Sequence, residues 1–159
     1  RTVPQQARAG EPAGAHRGGP GSVSVVLDAS AALALALPDE HSEWAQSCLA
    51  EALRTPARAP SLWQSEVVSG LRNAEKRGRI STQDVDLTLD ALLRLPVRLE
   101  QPRWLSVIAL SRELALSTYD ATYVEVASHL GLTLVTADRR LGTAATAAGL
   151  TVIAPASAG

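Results

Sequence analysis

From position 23 to 155, short apolar runs alternate with longer stretches in which apolar residues recur every three or four positions. The run Val23-Ser24-Val25-Val26-Leu27 is largely β-branched and almost continuous, as a strand buried on both faces requires. A short apolar helix is predicted over 29–37. A second follows over 39–53, with Trp44, Cys48 and Ala52 on one stripe. A brief strand fits 58–60. The stretch 62–77 reads as a helix with Val67, Leu71 and Ala74 inward, stopped by Gly78. The same logic runs through Val85, Leu89 and Leu92 over 82–95, before Pro96. Residues 97–99 suit a third strand. Trp104, Val107, Ile108 and Leu114 mark another amphipathic helix, and 119–130 one more, with Tyr123, Val126, Ala127 and Leu130 on one face. A strand at 133–135, a helix at 139–148 closed by Gly149, and a strand at 151–153 complete the pattern. Strands separated by helices predict an α/β fold with a parallel sheet covered on both sides. No segment repeats.

Length and composition narrow this picture. A chain of 159 residues makes one domain. Residues 1–22 hold five Gly, three Pro and one β-branched aliphatic, Val3. Such a segment buries too little apolar surface to offset its ordering entropy, so a disordered tail or a start-site artefact is expected, with Val23 or Val25 as the start. The folded domain is expected over 23–155, with 156–159 as a C-terminal tail. No apolar run reaches the roughly 20 residues of a membrane span, and the N-terminus lacks a secretory h-region. The single cysteine, Cys48, excludes an internal disulfide and suits a cytoplasmic home. With 15 basic and 16 acidic residues the net charge is -1, which excludes a binder that holds nucleic acid by bulk charge. It does not exclude a nuclease, whose site is acidic.

In open parallel sheets, ligands bind beyond the carboxyl ends of the strands. Asp28 directly follows the first strand, and Asp138 lies three residues past Val135. Asp120 falls in the first turn of its helix, and Glu66 in the first two turns of the helix after the second strand. Taken singly, each aspartate is more often a helix cap than a ligand. Glu66 differs, lying near the boundary of an apolar face. Two carboxylates about 5 Å apart repel by roughly 3 kcal/mol at an effective dielectric of about 20. Four at one rim therefore require a cation, protonation or distance, and Mg²⁺ or Mn²⁺ suits an all-oxygen site.

The sequence resembles the PIN-domain family, in particular the VapC-type ribonuclease toxins of bacterial toxin–antitoxin pairs. The resemblance is carried by Val26-Leu27-Asp28-Ala29-Ser30, Ala59-Pro60-Ser61-Leu62 leading to Glu66-Val67, and Arg77-Gly78-Arg79-Ile80-Ser81. Leu95-Pro96-Val97, Thr118-Tyr119-Asp120-Ala121-Thr122-Tyr123 and Leu134-Val135-Thr136-Ala137-Asp138-Arg139-Arg140-Leu141 follow in order. Each motif alone is weak; their order and spacing together are strong. The resemblance implies a three-layer α/β/α sandwich and an acidic quartet at Asp28, Glu66, Asp120 and Asp138. It also implies Mg²⁺- or Mn²⁺-dependent cleavage of single-stranded RNA leaving a 5′-phosphate and a 3′-hydroxyl. Ser30 and Thr136 match supporting hydroxyl positions. Ser69 stands where many relatives carry Asn, and Glu125 where a small residue is common. Glu125 is about 140° around the helix from Asp120 and is expected to point elsewhere. The implied partners are an RNA substrate, a VapB-like antitoxin and a second copy in a homodimer, with no membrane.

Several residues read two ways. Arg72, Lys76, Arg77, Arg79, Arg139 and Arg140 flank the acids and suit phosphate contacts, or equally solvate exposed helices. Trp44, Trp63 and Trp104 suit core packing or a dimer interface better than base stacking. Tyr119 and Tyr123 read as structural, Cys48 as core, and His16, His41 and His129 have no ligand spacing. The rival readings are a catalytically inactive PIN-fold binding module, a housekeeping PIN nuclease without an antitoxin, and an unrelated α/β enzyme. Against the last, a dehalogenase-type phosphatase needs Asp where Ser30 stands, and a receiver domain needs a late Lys.

Overall fold

A computed structural model describes residues 24–37, 43–52 and 54–155. The expected tails at 1–22 and 156–159, Val23, Pro38 and His41 lie outside the described residues. In chain order the elements are β1 (Val25–Leu27), α1 (Ala29–Ala36), α2 (Glu43–Ala52), β2 (Ala57–Pro60), α3 (Trp63–Lys76) and α4 (Thr82–Leu93). Then come β3 (Val97–Glu100), α5 (Trp104–Glu113), α6 (Thr118–Leu130), β4 (Thr133–Val135), α7 (Arg139–Ala147) and β5 (Val152–Ile153). Every element predicted from the hydrophobic pattern is present.

The five strands form one parallel sheet in the order β3-β2-β1-β4-β5. From β1 the chain steps outward through β2 to β3, then crosses back to β4 and β5. With right-handed crossovers this reversal places the two sets of helices on opposite faces. Helices α1 to α4 pack among themselves, while α6 packs on α5 and lies against β1, β2 and β4. The result is a three-layer α/β/α sandwich. The reversal leaves a crevice between the carboxyl ends of β1 and β4, where open sheets place their ligands. Leu27 pairs with Val135 across that crevice, so Asp28 and Thr136 emerge side by side.

The core explains which helical faces were predicted correctly. Val67, Leu71 and Ala74 of α3 are buried, as is Trp63, while Trp44 and Cys48 pack half-buried against the core. Two expectations fail. Helix α6 is buried on all sides over residues 121–127, because it is sandwiched between the sheet and α5. On α5, Val107 is buried but Trp104 is 58% exposed and Ile108 is also exposed, because this helix rests on α6 rather than on the sheet. The α3 terminus shows why Gly78 is needed. At φ +69° it closes a Schellman turn, with Arg79 N–H donating to Ala74 C=O at 2.9 Å and Gly78 N–H to Glu75 C=O at 2.9 Å. Among the described residues, no helix is long and apolar enough to cross a membrane.

Candidate active site

Asp28 occupies the N-cap position of α1, yet its side chain caps nothing. Its carboxyl is buried, 6% exposed, and its Oδ2 accepts hydrogen bonds from the hydroxyls of Ser30 and Thr136, the latter at 2.7 Å. Each hydroxyl is itself fixed by a backbone donor. Ala137 N–H donates to Ser30 Oγ at 2.9 Å, and Asp138 N–H to Thr136 Oγ1 at 3.0 Å. Both hydroxyls thus converge on one oxygen of Asp28, and they also lie 3.2 Å from each other. Burial pushes the Asp28 carboxyl above its ordinary range, with the nearby Asp138 adding to the effect, while the bonds from Ser30 and Thr136 oppose it.

Glu66 lies in the first turn of α3 and is half-buried. Its carboxyl is pushed up to about 7, chiefly by burial, with Asp28 and Asp120 adding to the rise and the hydrogen bond from Tyr123 opposing it. Tyr123 is buried on α6 and donates its hydroxyl to Glu66 Oε2. The sequence reading of Tyr123 as structural is therefore incomplete: it packs in the core and also holds an acid at the rim. No spacing rule reveals this, since the two residues are 57 positions apart.

Asp120 is not a cap either. Ser117 caps α6, accepting from Asp120 N–H at 3.0 Å, which leaves the Asp120 carboxyl to the rim. Only Asp138 behaves as an ordinary cap, its Oδ1 accepting from Leu141 N–H at 3.0 Å at the start of α7. The electrostatic neighbours form a chain, Asp138 beside Asp28, Asp28 beside Glu66, and Glu66 beside Asp120. The charges that shift Asp28 and Glu66 are carboxylates, not arginines or lysines. Among the described residues, no three His, Cys, Asp or Glu side chains stand close enough together to hold a metal ion as they are placed. Uncompensated carboxylates repel at short range, and an all-oxygen donor set of this kind fits a hard divalent cation.

The flanking cations separate by position. Arg77 and the half-buried Arg79 line a hollow of about 360 Å³ between α1, α3 and the β4–α7 turn, which also includes Ser30, Asn73 and Asp138. Arg72 pairs with Glu75 at 2.6 Å, and Lys76 is exposed on α3. Arg140 donates to the Ala115 carbonyl at 2.5 Å, which ties it to the α5–α6 turn, and Arg139 lines a separate hollow beside α7. Ser69 is exposed and shares a third hollow with Glu66. Glu125 points away from the rim: it is 1% exposed and accepts from Arg103, through Nε at 2.5 Å and the backbone N–H at 3.3 Å.

If Tyr123 positions Glu66, Tyr123→Phe should weaken Mn²⁺ binding several-fold and slow turnover, with the core still packed. Calorimetric titration with Mn²⁺ and a Glu66→Gln/Tyr123→Phe double-mutant cycle check this, because the tyrosine effect should shrink once Glu66 is gone.

Comparison with known proteins is consistent with this geometry. The PIN domain family matches residues 25–147. Ribonuclease VapC9 of Mycobacterium tuberculosis is 39% identical over 117 residues, covering 74% of this chain and 87% of the relative. Ribonuclease VapC3 of the same organism is 36% identical over 120 residues, covering 76% and 86%. The crystal structure of PAE2754 from Pyrobaculum aerophilum superposes with a TM-score of 0.62 at 26% identity, covering 83% of this chain and 92% of that one.

Proposed function

The chain belongs to the PIN-domain family, among its VapC-type members, and from that premise we propose that it is a metal-dependent endoribonuclease toxin that cuts unpaired segments of RNA. The observation that carries the proposal is Asp28, a buried carboxyl at the sheet's reversal point with one oxygen locked by two hydroxyls. A buried carboxylate is costly to ionise, and one retained at a ligand crevice among other acids suits a cationic ligand. Asp28, Asp120 and Asp138, with Glu66, are the residues that would hold Mg²⁺ or Mn²⁺. When bound, the ion supplies charge neutralisation at the phosphodiester and lowers the pKa of a coordinated water.

The chain's own part is positioning. Ser30 and Thr136 fix the rotamer of Asp28, and their backbone donors come from the turn that presents Asp138, so the two acids are set by one hydrogen-bonded unit. Tyr123 sets Glu66, whose proposed role is to help hold a second metal or to orient an attacking water. Arg77 and Arg79, beside Asp138, suit phosphates of the strand entering the rim. The proposed partner is a VapB-like antitoxin that blocks the rim, with the toxin itself a homodimer in the cytoplasm.

A pH dependence follows from Glu66. Its folded value lies near 7 against an ordinary 4.5, so between these values the folded protein keeps a proton that the unfolded chain has lost. Metal-free stability therefore falls as pH rises through this window. A cation must displace that proton, so Mn²⁺ affinity should rise with pH up to about 7, with a slope of about one proton per ion, and then level off. Calorimetry across pH 5 to 8 measures it.

The function is tested by incubating purified, antitoxin-free protein with total RNA in Mg²⁺, in Mn²⁺ and in chelator. Metal-dependent cutting that leaves 5′-phosphates is expected. Folded protein that cuts nothing in either metal would contradict the proposal.

A further inference from the structure

Tyr119 is out of keeping with its surroundings. It is a large aromatic, 63% exposed, on the first turn of α6 directly before Asp120. The rest of that helix is buried from 121 to 127, so the ring is spent on no core. It forms one wall of a hollow of about 300 Å³ whose other walls are Leu62, Ser65, Glu66 and Ser69. The hollow therefore opens on the same rim as the acids, on the Glu66 side. The Arg77 and Arg79 hollow lies on the Asp138 side.

We propose that this hollow is a subsite for one unpaired base of the RNA, stacked on the ring of Tyr119, next to the phosphate held at the acid rim. The inference rests on the ribonuclease reading above and adds where the strand is gripped. Sequence-tolerant grip on single-stranded RNA comes from aromatic faces, because every base has a π-face. Leu62 supplies an apolar edge, and the Ser65 and Ser69 hydroxyls supply small donors and acceptors toward the base edge. The position also explains how a rim of four carboxylates retains a polyanion. Stacking on one side and arginines on the other hold the strand while the acids face a single phosphate. A protein segment is the less favoured occupant, since the wall shared with Glu66 sets the hollow beside the acids proposed to face the reacting phosphate.

The test compares Tyr119→Phe, Tyr119→Leu and Tyr119→Ala, all at an exposed position where folding tolerates change. KM for a short unpaired RNA should be unchanged in Tyr119→Phe and should rise about 5- to 100-fold in the leucine and alanine variants, the range that losing one base stack gives. The kcat and the Mn²⁺ affinity should stay as in the parent. Binding is read separately by anisotropy on the Asp120→Asn background, using a fluorescein-labelled uridine decamer and an abasic ribose-phosphate decamer. Tyr119→Leu should weaken the uridine probe and leave the abasic probe unaffected, with the salt slope unaltered because no phosphate contact is lost. If the parent cuts RNA and Tyr119→Leu matches it in KM and uridine binding, the subsite is overturned and the nuclease reading stands. If both probes weaken equally, the ring acts on the backbone or the fold, which also overturns it. If only antitoxin binding weakens, the occupant is protein and the inference is wrong. A parent that cuts no RNA removes the nuclease reading and this inference with it.

Discussion

Replacing Asp28 with asparagine is expected to lower RNA cleavage by about a hundred- to a thousandfold, the scale lost when a group that stabilises developing charge is removed, while making the metal-free protein more stable. The two effects have one cause. The Asp28 carboxyl is buried, burial raises its pKa, and its neighbours are other acids. An asparagine carbonyl still accepts the Ser30 and Thr136 hydroxyls, so the hydrogen bonds survive and the buried charge does not. The expected gain is read near neutral pH, where the carboxyl is charged, as a higher melting temperature of the metal-free variant. If Asp28 helps hold the proposed ion, Mg²⁺ should raise the melting temperature of the parent and leave the variant nearly unmoved. Thermal melts with and without Mg²⁺, beside a cleavage assay, separate the two terms. A variant that loses activity and stability together would place Asp28 in the scaffold instead of at the metal.

The second large effect is structural. Arg103→Ala should cost about 2–3 kcal/mol of folding stability, read as a lower urea midpoint with unchanged slope. Glu125 is 1% exposed and takes Arg103 Nε at 2.5 Å, whereas the Arg103 side chain is 55% exposed. Removing the arginine side chain strands a buried carboxylate that keeps, among the described residues, the backbone N–H of position 103 at 3.3 Å. Removing the charge instead, in Glu125→Gln, should cost less, because an amide is easier to bury and still accepts that bond. At temperatures where Arg103→Ala remains folded, its kcat should match the parent, since neither Arg103 nor Glu125 is among the charges that shift Asp28 or Glu66.

The hydrophobic pattern carried nearly all of the fold because β1, β4 and β5 are short and largely apolar and the helices between the strands have a clear period. The same pattern located Asp28 and Asp138, since a residue just past a buried strand in a parallel sheet has only one rim to occupy. It could not say which aspartates were caps. That depended on Ser117 taking over the cap of α6 and on the hydroxyls of Ser30 and Thr136 drawing Asp28 away from α1. The one-faced expectation for α6 failed because burial on all sides is set by a neighbouring helix, which local periodicity does not record. The two tyrosines show the limit most clearly. Four residues apart on one helix, they look alike in sequence, yet Tyr123 lies in the core against Glu66 and Tyr119 stands in solvent at the rim. The distinction comes from where the sheet ends, which is a tertiary fact.

The measurement that bears most directly on the account is the rate of cleavage of an unpaired RNA as a function of Mg²⁺, for the parent and for Asp120→Asn. The account predicts a saturable rise for the parent, abolished by chelator, and a folded Asp120→Asn protein that is at least about a thousandfold slower at every concentration. Cleavage by Asp120→Asn at the parent's rate, or parent cleavage indifferent to chelator, would contradict it.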